Sequence, residues 1–144
     1  MFCVFGRVID QKIQYSPIGQ IAAEEWIKTG LLRSNIELDE WTLMPNHMHG
    51  IIQIKNDKNN VETTRRVVST CLRPDSLGSV IGQYKSICTK RILAAGYRGF
   101  RWQRNYHDHI IRNERSLYRI REYIRNNPLK WDLDEYNPKT IEGN

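Results

Sequence analysis

The chain has little cysteine, few acidic residues for its basic ones, and no apolar run long enough for a bilayer. Its three cysteines, Cys3, Cys71 and Cys88, are odd in number and widely spaced, which argues against a disulfide framework or a cysteine zinc site and fits a reducing compartment. No stretch approaches the roughly 20 apolar residues of a membrane span, and Met1-Phe2-Cys3-Val4-Phe5-Gly6 is too short for a secretory signal. The expectation is a soluble, unexported, cytoplasmic protein. Asp and Glu number 16 against 22 Lys and Arg, a net charge of +6, and the pI near 9.4 favours a polyanionic partner. There is no internal repeat or low-complexity tract, and 144 residues suit one domain, 1–144, with a short tail over 132–144.

Local patterning places the elements. Residues 4–15 mix β-branched and aromatic residues with the turn formers Gly6 and Asp10 and read as a short hairpin. A helix is expected over 17–29, with Ile18, Ile21, Ala22, Trp26 and Ile27 as its apolar stripe and Gly30 as its end. Residues 36–43 alternate apolar and polar as a half-buried strand does, Met44-Pro45-Asn46 break the pattern, and 47–55 form a second strand. The span 56–74 has the composition of a mobile loop. Helical periodicity resumes over 77–93, with Lys85, Lys90 and Arg91 on an exposed face. Part of 100–112 is expected to be strand, and a last helix to run over 113–126, capped by Asn113 and stopped by Pro128.

Two features carry chemistry. All four histidines fall in H-x-H pairs, His47-Met48-His49 and His107-Asp108-His109. On a strand such a pair projects to one side, close enough to share an ion, and imidazole suits transition ions while further ligands come from elsewhere. By itself the spacing also suits two surface histidines on a polar strand face. The second feature is the last helix, where Tyr123 and Asn127 are four apart and share a face. Arg115, Arg119, Arg121 and Arg125 lie around that face or its edges, and residues 112–130 hold six positive and two negative side chains, a pattern suited to phosphate. The same helix could equally dock through Leu117, Ile120 and Ile124, with Tyr123 half-buried beside that stripe and the arginines solvated.

Met44-Pro45-Asn46-His47-Met48-His49-Gly50-Ile51-Ile52 resembles the HUH motif of the single-tyrosine transposases, especially the branch associated with repetitive extragenic palindromes. In the same order, Leu77-Gly78-Ser79-Val80-Ile81-Gly82-Gln83-Tyr84-Lys85-Ser86 is similar to that family's central helix. Trp102-Gln103-Arg104-Asn105-Tyr106-His107-Asp108-His109 is similar to its strand before the catalytic helix, and Tyr123-Ile124-Arg125-Asn126-Asn127-Pro128 to the catalytic helix itself. The resemblance implies an α+β fold, a ferredoxin-like α/β sandwich with an antiparallel sheet, helices on one face and the HUH pair on a middle strand. It implies Tyr123 as nucleophile, His47, His49 and Asn127 as ligands of Mg2+ or Mn2+, and single-stranded or hairpin DNA as substrate.

The activity so implied is nicking and strand transfer through a 5′-phosphotyrosine ester, with no nucleotide cofactor because the ester conserves the bond energy. Lys85, Lys90, Arg91, Arg115, Arg119, Arg125, His107 and His109 are the candidate DNA contacts. Family members work as homodimers or, in the palindrome-associated branch, also as monomers. The resemblance departs at the start: relatives carry an upstream central strand of the form aromatic, His, Val, Thr, which this sequence lacks. The expectation is that residues 4–8 replace it, another chain supplies it, or the frame is a shortened remnant. Two other readings remain: a DNA-hairpin-binding module that does not cut, and a zinc hydrolase using all four histidines.

Overall fold

The computed structural model describes residues 2–55 and 76–141, so the loop expected at 56–74 lies outside the described residues. The fold is mixed α+β. A hairpin of β1 (Gly6–Ile9) and β2 (Lys12–Tyr15) leads into α1 (Pro17–Leu32), which is followed by β3 (Ile36–Leu43), β4 (Met48–Ile54), α2 (Leu77–Ala94) and α3 (Glu114–Asn126). A 3-10 turn (Pro128–Leu133) and the short α4 (Pro138–Ile141) complete the described chain.

The first hairpin turns through Asp10 and Gln11, both at positive φ (49° and 62°), the handedness that matches the twist of paired strands. Ser16 then caps α1, its hydroxyl accepting from the Gly19 amide at 3.0 Å, and Pro17 opens the helix where an N–H has no intrahelical partner. Gly30 does not end α1, which runs on to Leu32. A Cβ at Gly30 would stand 2.7 Å from the Leu38 side chain, so that glycine serves the close approach of helix to strand.

The β3–β4 ladder is antiparallel, with Leu38 opposite Ile52, Trp41 opposite Gly50, Thr42 opposite His49 and Leu43 opposite Met48, and it is interrupted between Leu38 and Trp41 by a bulge. Leu38, Trp41, Leu43, Met48 and Ile52 pack with Trp26 of α1 and Tyr84, Cys88 and Ile92 of α2 into one core. His49, next to Met48 and therefore on the other side of the pleat, meets Tyr123 of α3. The hairpin is thus covered on both sides, which corrects the expectation of helices on one face. The alternation that sends Met48 to α1 and α2 sends His49 to α3. Among the described residues β4 pairs with β3 alone, so they do not form the middle-strand setting expected for the histidine pair. Residues 6–9 pair with β2 and do not take that position beside β4.

The expected strand within 100–112 is absent, and the segment is irregular. Its aromatics are recruited by packing instead of by a ladder: Phe100 and Trp102 contact Phe5 and each other, and Trp102 also meets Tyr84. The Trp102 indole N–H donates to the Lys85 carbonyl at 3.1 Å. Among the described residues no helix is long and apolar enough to cross a membrane.

Candidate functional site

The connection Met44-Pro45-Asn46-His47 joins β3 to β4, and its Met44, Pro45 and Asn46 are buried, unusual for a turn. It is closed by the Met44 amide donating to the His47 carbonyl at 2.8 Å and tied to the N-terminal segment by the Phe5 amide donating to the Pro45 carbonyl at 2.9 Å. His47 therefore ends a fixed turn and His49 lies in β4, one step short of both being on the strand as expected. Their rings still converge, with centroids 4.8 Å apart and nearly perpendicular.

A chain of hydrogen bonds sets the tautomer of His47. The Asn46 amide Nδ2 donates to the Tyr136 carbonyl at 2.7 Å, which turns its Oδ1 towards His47 Nδ1 at 2.8 Å. An amide oxygen only accepts, so Nδ1 carries the hydrogen and Nε2 is left with its lone pair. Nε2 is buried and makes no hydrogen bond. Burial, with His49 beside it, lowers the His47 pKa to about 4 against a partial offset from Asp134, and burial likewise lowers that of His49. Both rings are therefore neutral at physiological pH, the state in which imidazole binds a metal.

α3 supplies the other half of the site. Asn113 caps it, accepting from the Ser116 amide at 2.8 Å, and Pro128 ends it by starting the 3-10 turn. The bulge in β3 turns Asp39 and Glu40 towards this helix: Arg121 holds Asp39 with two bonds, 2.8 and 2.5 Å, and Arg125 pairs with Glu40 at 3.1 Å. Arg121 keeps the Asp39 carboxyl below its ordinary range. Ile124 is buried and fixes the helix's rotation, so that Tyr123, 56% exposed, lays its ring 5.4 Å from that of His49 at 75°. One turn on, Asn127 is buried and its Nδ2 makes no hydrogen bond.

The 3-10 turn and the segment expected to be a short tail over 132–144 contribute residues that sequence reasoning missed. Trp131 and Tyr136 lie against the His47 ring, at centroid distances of 6.2 and 5.2 Å. Asp134 Oδ2 stands 3.9 Å from His47 Nε2. No spacing or periodicity in the sequence marks these residues. Asn46 did stand within the motif, but its part in fixing the tautomer depends on the carbonyl of Tyr136, 90 residues away.

The remaining candidates are dispersed. His107 and His109 are exposed in the irregular segment before α3. Arg91 is tied to Glu25 and Glu24 of α1, at 2.5 and 3.0 Å. Lys85 Nζ donates to the carbonyls of Gln103 and Asn105 at 3.0 and 3.1 Å. Lys90, Arg115 and Arg119 are exposed and make no ion pair among the described residues. Also among the described residues, no three of His, Cys, Asp and Glu gather as a ready ligand set, so a third donor to the His47–His49 pair would be an amide or would move into place.

No family model matches the chain, and no solved structure matches it. It is similar to a protein of Haemophilus influenzae described as uncharacterized, with 34% identity over 138 residues that cover 92% of this chain and 77% of that protein.

Proposed function

The chain belongs to the same family as this Haemophilus influenzae protein, and we propose that it is an HUH-type enzyme that nicks and rejoins single-stranded DNA beside hairpins, with Tyr123 as nucleophile. The observation that carries the reading is the row of rings from exposed Tyr123 to His49 to His47, which ends on a buried nitrogen lone pair with no partner. A half-exposed phenol beside two neutral imidazoles suits phosphoryl transfer better than it suits packing, because the unpartnered polar atoms of His47 and Asn127 cost stability where they stand.

These residues fit a divalent ion, Mg2+ or Mn2+. His47 offers Nε2, His49 a neutral ring nitrogen, and Asn127 an amide that presents Oδ1 where Nδ2 now lacks a partner once it is turned about its last torsion. When bound, the ion would draw charge from a non-bridging phosphate oxygen and favour the phenolate. Tyr123 Oη then forms a bond to phosphorus as the bond to the 3′ oxygen breaks; the phenolic proton passes to solvent, and the 3′ oxygen takes a proton from solvent and leaves as a hydroxyl. The 5′ phosphate stays on the protein as a tyrosine ester, and attack by another 3′-hydroxyl reverses the step and joins strands without a nucleotide cofactor. The ferredoxin-like reading belongs to the same proposal and is supported by the antiparallel β3–β4 hairpin that presents the pair. Exposed Lys90, Arg115 and Arg119 are the cations best placed to meet phosphate.

The test is to incubate the protein with labelled single-stranded hairpin DNA and Mn2+ and to resolve the products on a denaturing gel. A protein–DNA adduct that is absent in Tyr123→Phe supports the proposal. Tight hairpin binding without an adduct would replace it with a binding module that does not cut.

A further inference from the structure

Asp134 sits just after the 3-10 turn, and both its carboxylate oxygens are accounted for. Oδ1 accepts from the Tyr136 backbone N–H at 2.8 Å, which aims Oδ2 at His47 Nε2, 3.9 Å away. The two side chains are only 11% and 12% exposed. Because Asn46 and the Tyr136 carbonyl fix the Nδ1–H tautomer, Nε2 meets the carboxylate lone pair to lone pair. Two acceptors held face to face at low exposure repel, and a shared proton would draw them to about 2.7–3.2 Å. A cation between them resolves the conflict, since ligand bonds of about 2.0–2.2 Å set two donors of one ion about 3–4 Å apart.

We infer that Asp134 is a ligand of the same divalent ion as His47, so that the C-terminal segment completes the metal centre. The inference rests on the reading of His47 and His49 as ligands, and it adds a residue that the HUH resemblance did not supply. Its chemical consequence is selectivity. Two imidazoles and an amide favour softer transition ions, whereas an anionic oxygen shifts preference towards Mn2+ and Mg2+ and cancels one of the ion's two charges. The turn around Asp134 then brings a carboxylate to the site, and because no three of His, Cys, Asp and Glu stand gathered among the described residues, His49 or Asp134 closes in as the ion binds.

The experiment titrates the full chain with Mn2+ alone, followed by electron paramagnetic resonance of the free ion, and with Co2+ alone, followed by its visible absorption. The proteins are wild type, Asp134→Asn and His49→Ala. Asn keeps an oxygen for the Tyr136 amide, and a circular dichroism melt establishes that each variant folds. The expected result is Mn2+ binding by wild type, weakened at least tenfold in Asp134→Asn, with a changed Co2+ spectrum. If Asp134→Asn binds Mn2+ as wild type does and leaves the Co2+ band unmoved while His49→Ala loses the ion, Asp134 is not a ligand and the histidine reading stands. If wild type binds neither ion, both readings fall.

Discussion

The two H-x-H pairs are the same in sequence spacing and opposite in circumstance. His47 and His49 stand at the mouth of β4, with one ring locked by Asn46, walled by Trp131 and Tyr136, and faced by Asp134. His107 and His109 lie exposed on an irregular segment. Spacing places two imidazoles near each other only where the backbone is extended and held; what prepares them for chemistry is the burial and hydrogen bonding around them. Much of the difference lies in residues far away in sequence, which the spacing of the histidines does not show.

The sharpest break of that comparison is to remove one histidine from each pair. His49→Ala should abolish the DNA adduct and cut Mn2+ affinity by a factor on the order of 100 or more, while His109→Ala changes both by less than about twofold. Equal losses would mean that the pairs act together. A middle-sized effect is expected for Asn46→Ala, which frees the His47 tautomer without touching an ion: affinity should fall about tenfold to a hundredfold, the range for a lost orienting partner. An Asn46→Ala protein with unchanged affinity would show that the buried turn alone orients the ring.

Acid probes the first pair in another way. The His47 pKa is lowered from 6.5 to about 4 on folding, so the unfolded chain takes up its proton first. Its contribution to stability is fully present above pH 6.5, is lost as pH falls through the window to about 4, and is constant below that. A His47→Gln variant should therefore lose less stability than wild type between pH 6.5 and 4 in denaturant titrations. The smallest effect concerns the cations: Arg119→Ala should weaken binding of all hairpins alike and lower the slope of log affinity against log salt by about 0.7–0.9 if it meets one phosphate.

How much was legible follows the same line. The bounds of β3, the turn at Pro45, the Asn113 cap and the stop at Pro128 are decided by neighbours in sequence, and the structure bears all four out, although the bulge interrupts the alternation within β3. Tyr123 and Asn127 could be paired on one face of a helix because helical spacing is local. The segment over 100–112 could not be read, because Phe100 and Trp102 are placed by packing on Phe5 and Tyr84 and not by a ladder. Asp134, Trp131 and Tyr136 were invisible for the same reason: their value lies in a return of the chain over His47 that no local pattern announces.

The bulge in β3 has a mechanical meaning beyond the ion pairs it permits. Two consecutive residues of a regular strand point to opposite faces, so without the extra residue one of Asp39 and Glu40 would be driven towards the apolar side, against α1. By turning both outward, the bulge gives α3 two anchor points, at Arg121 and Arg125, one helical turn apart. A helix pinned at one point can swivel, but a helix pinned at two has a defined register along the sheet. A slip of one turn, about 5.4 Å, would carry Tyr123 clear of His49, so a single inserted residue in a strand sets how a ring on another element lines up with that imidazole.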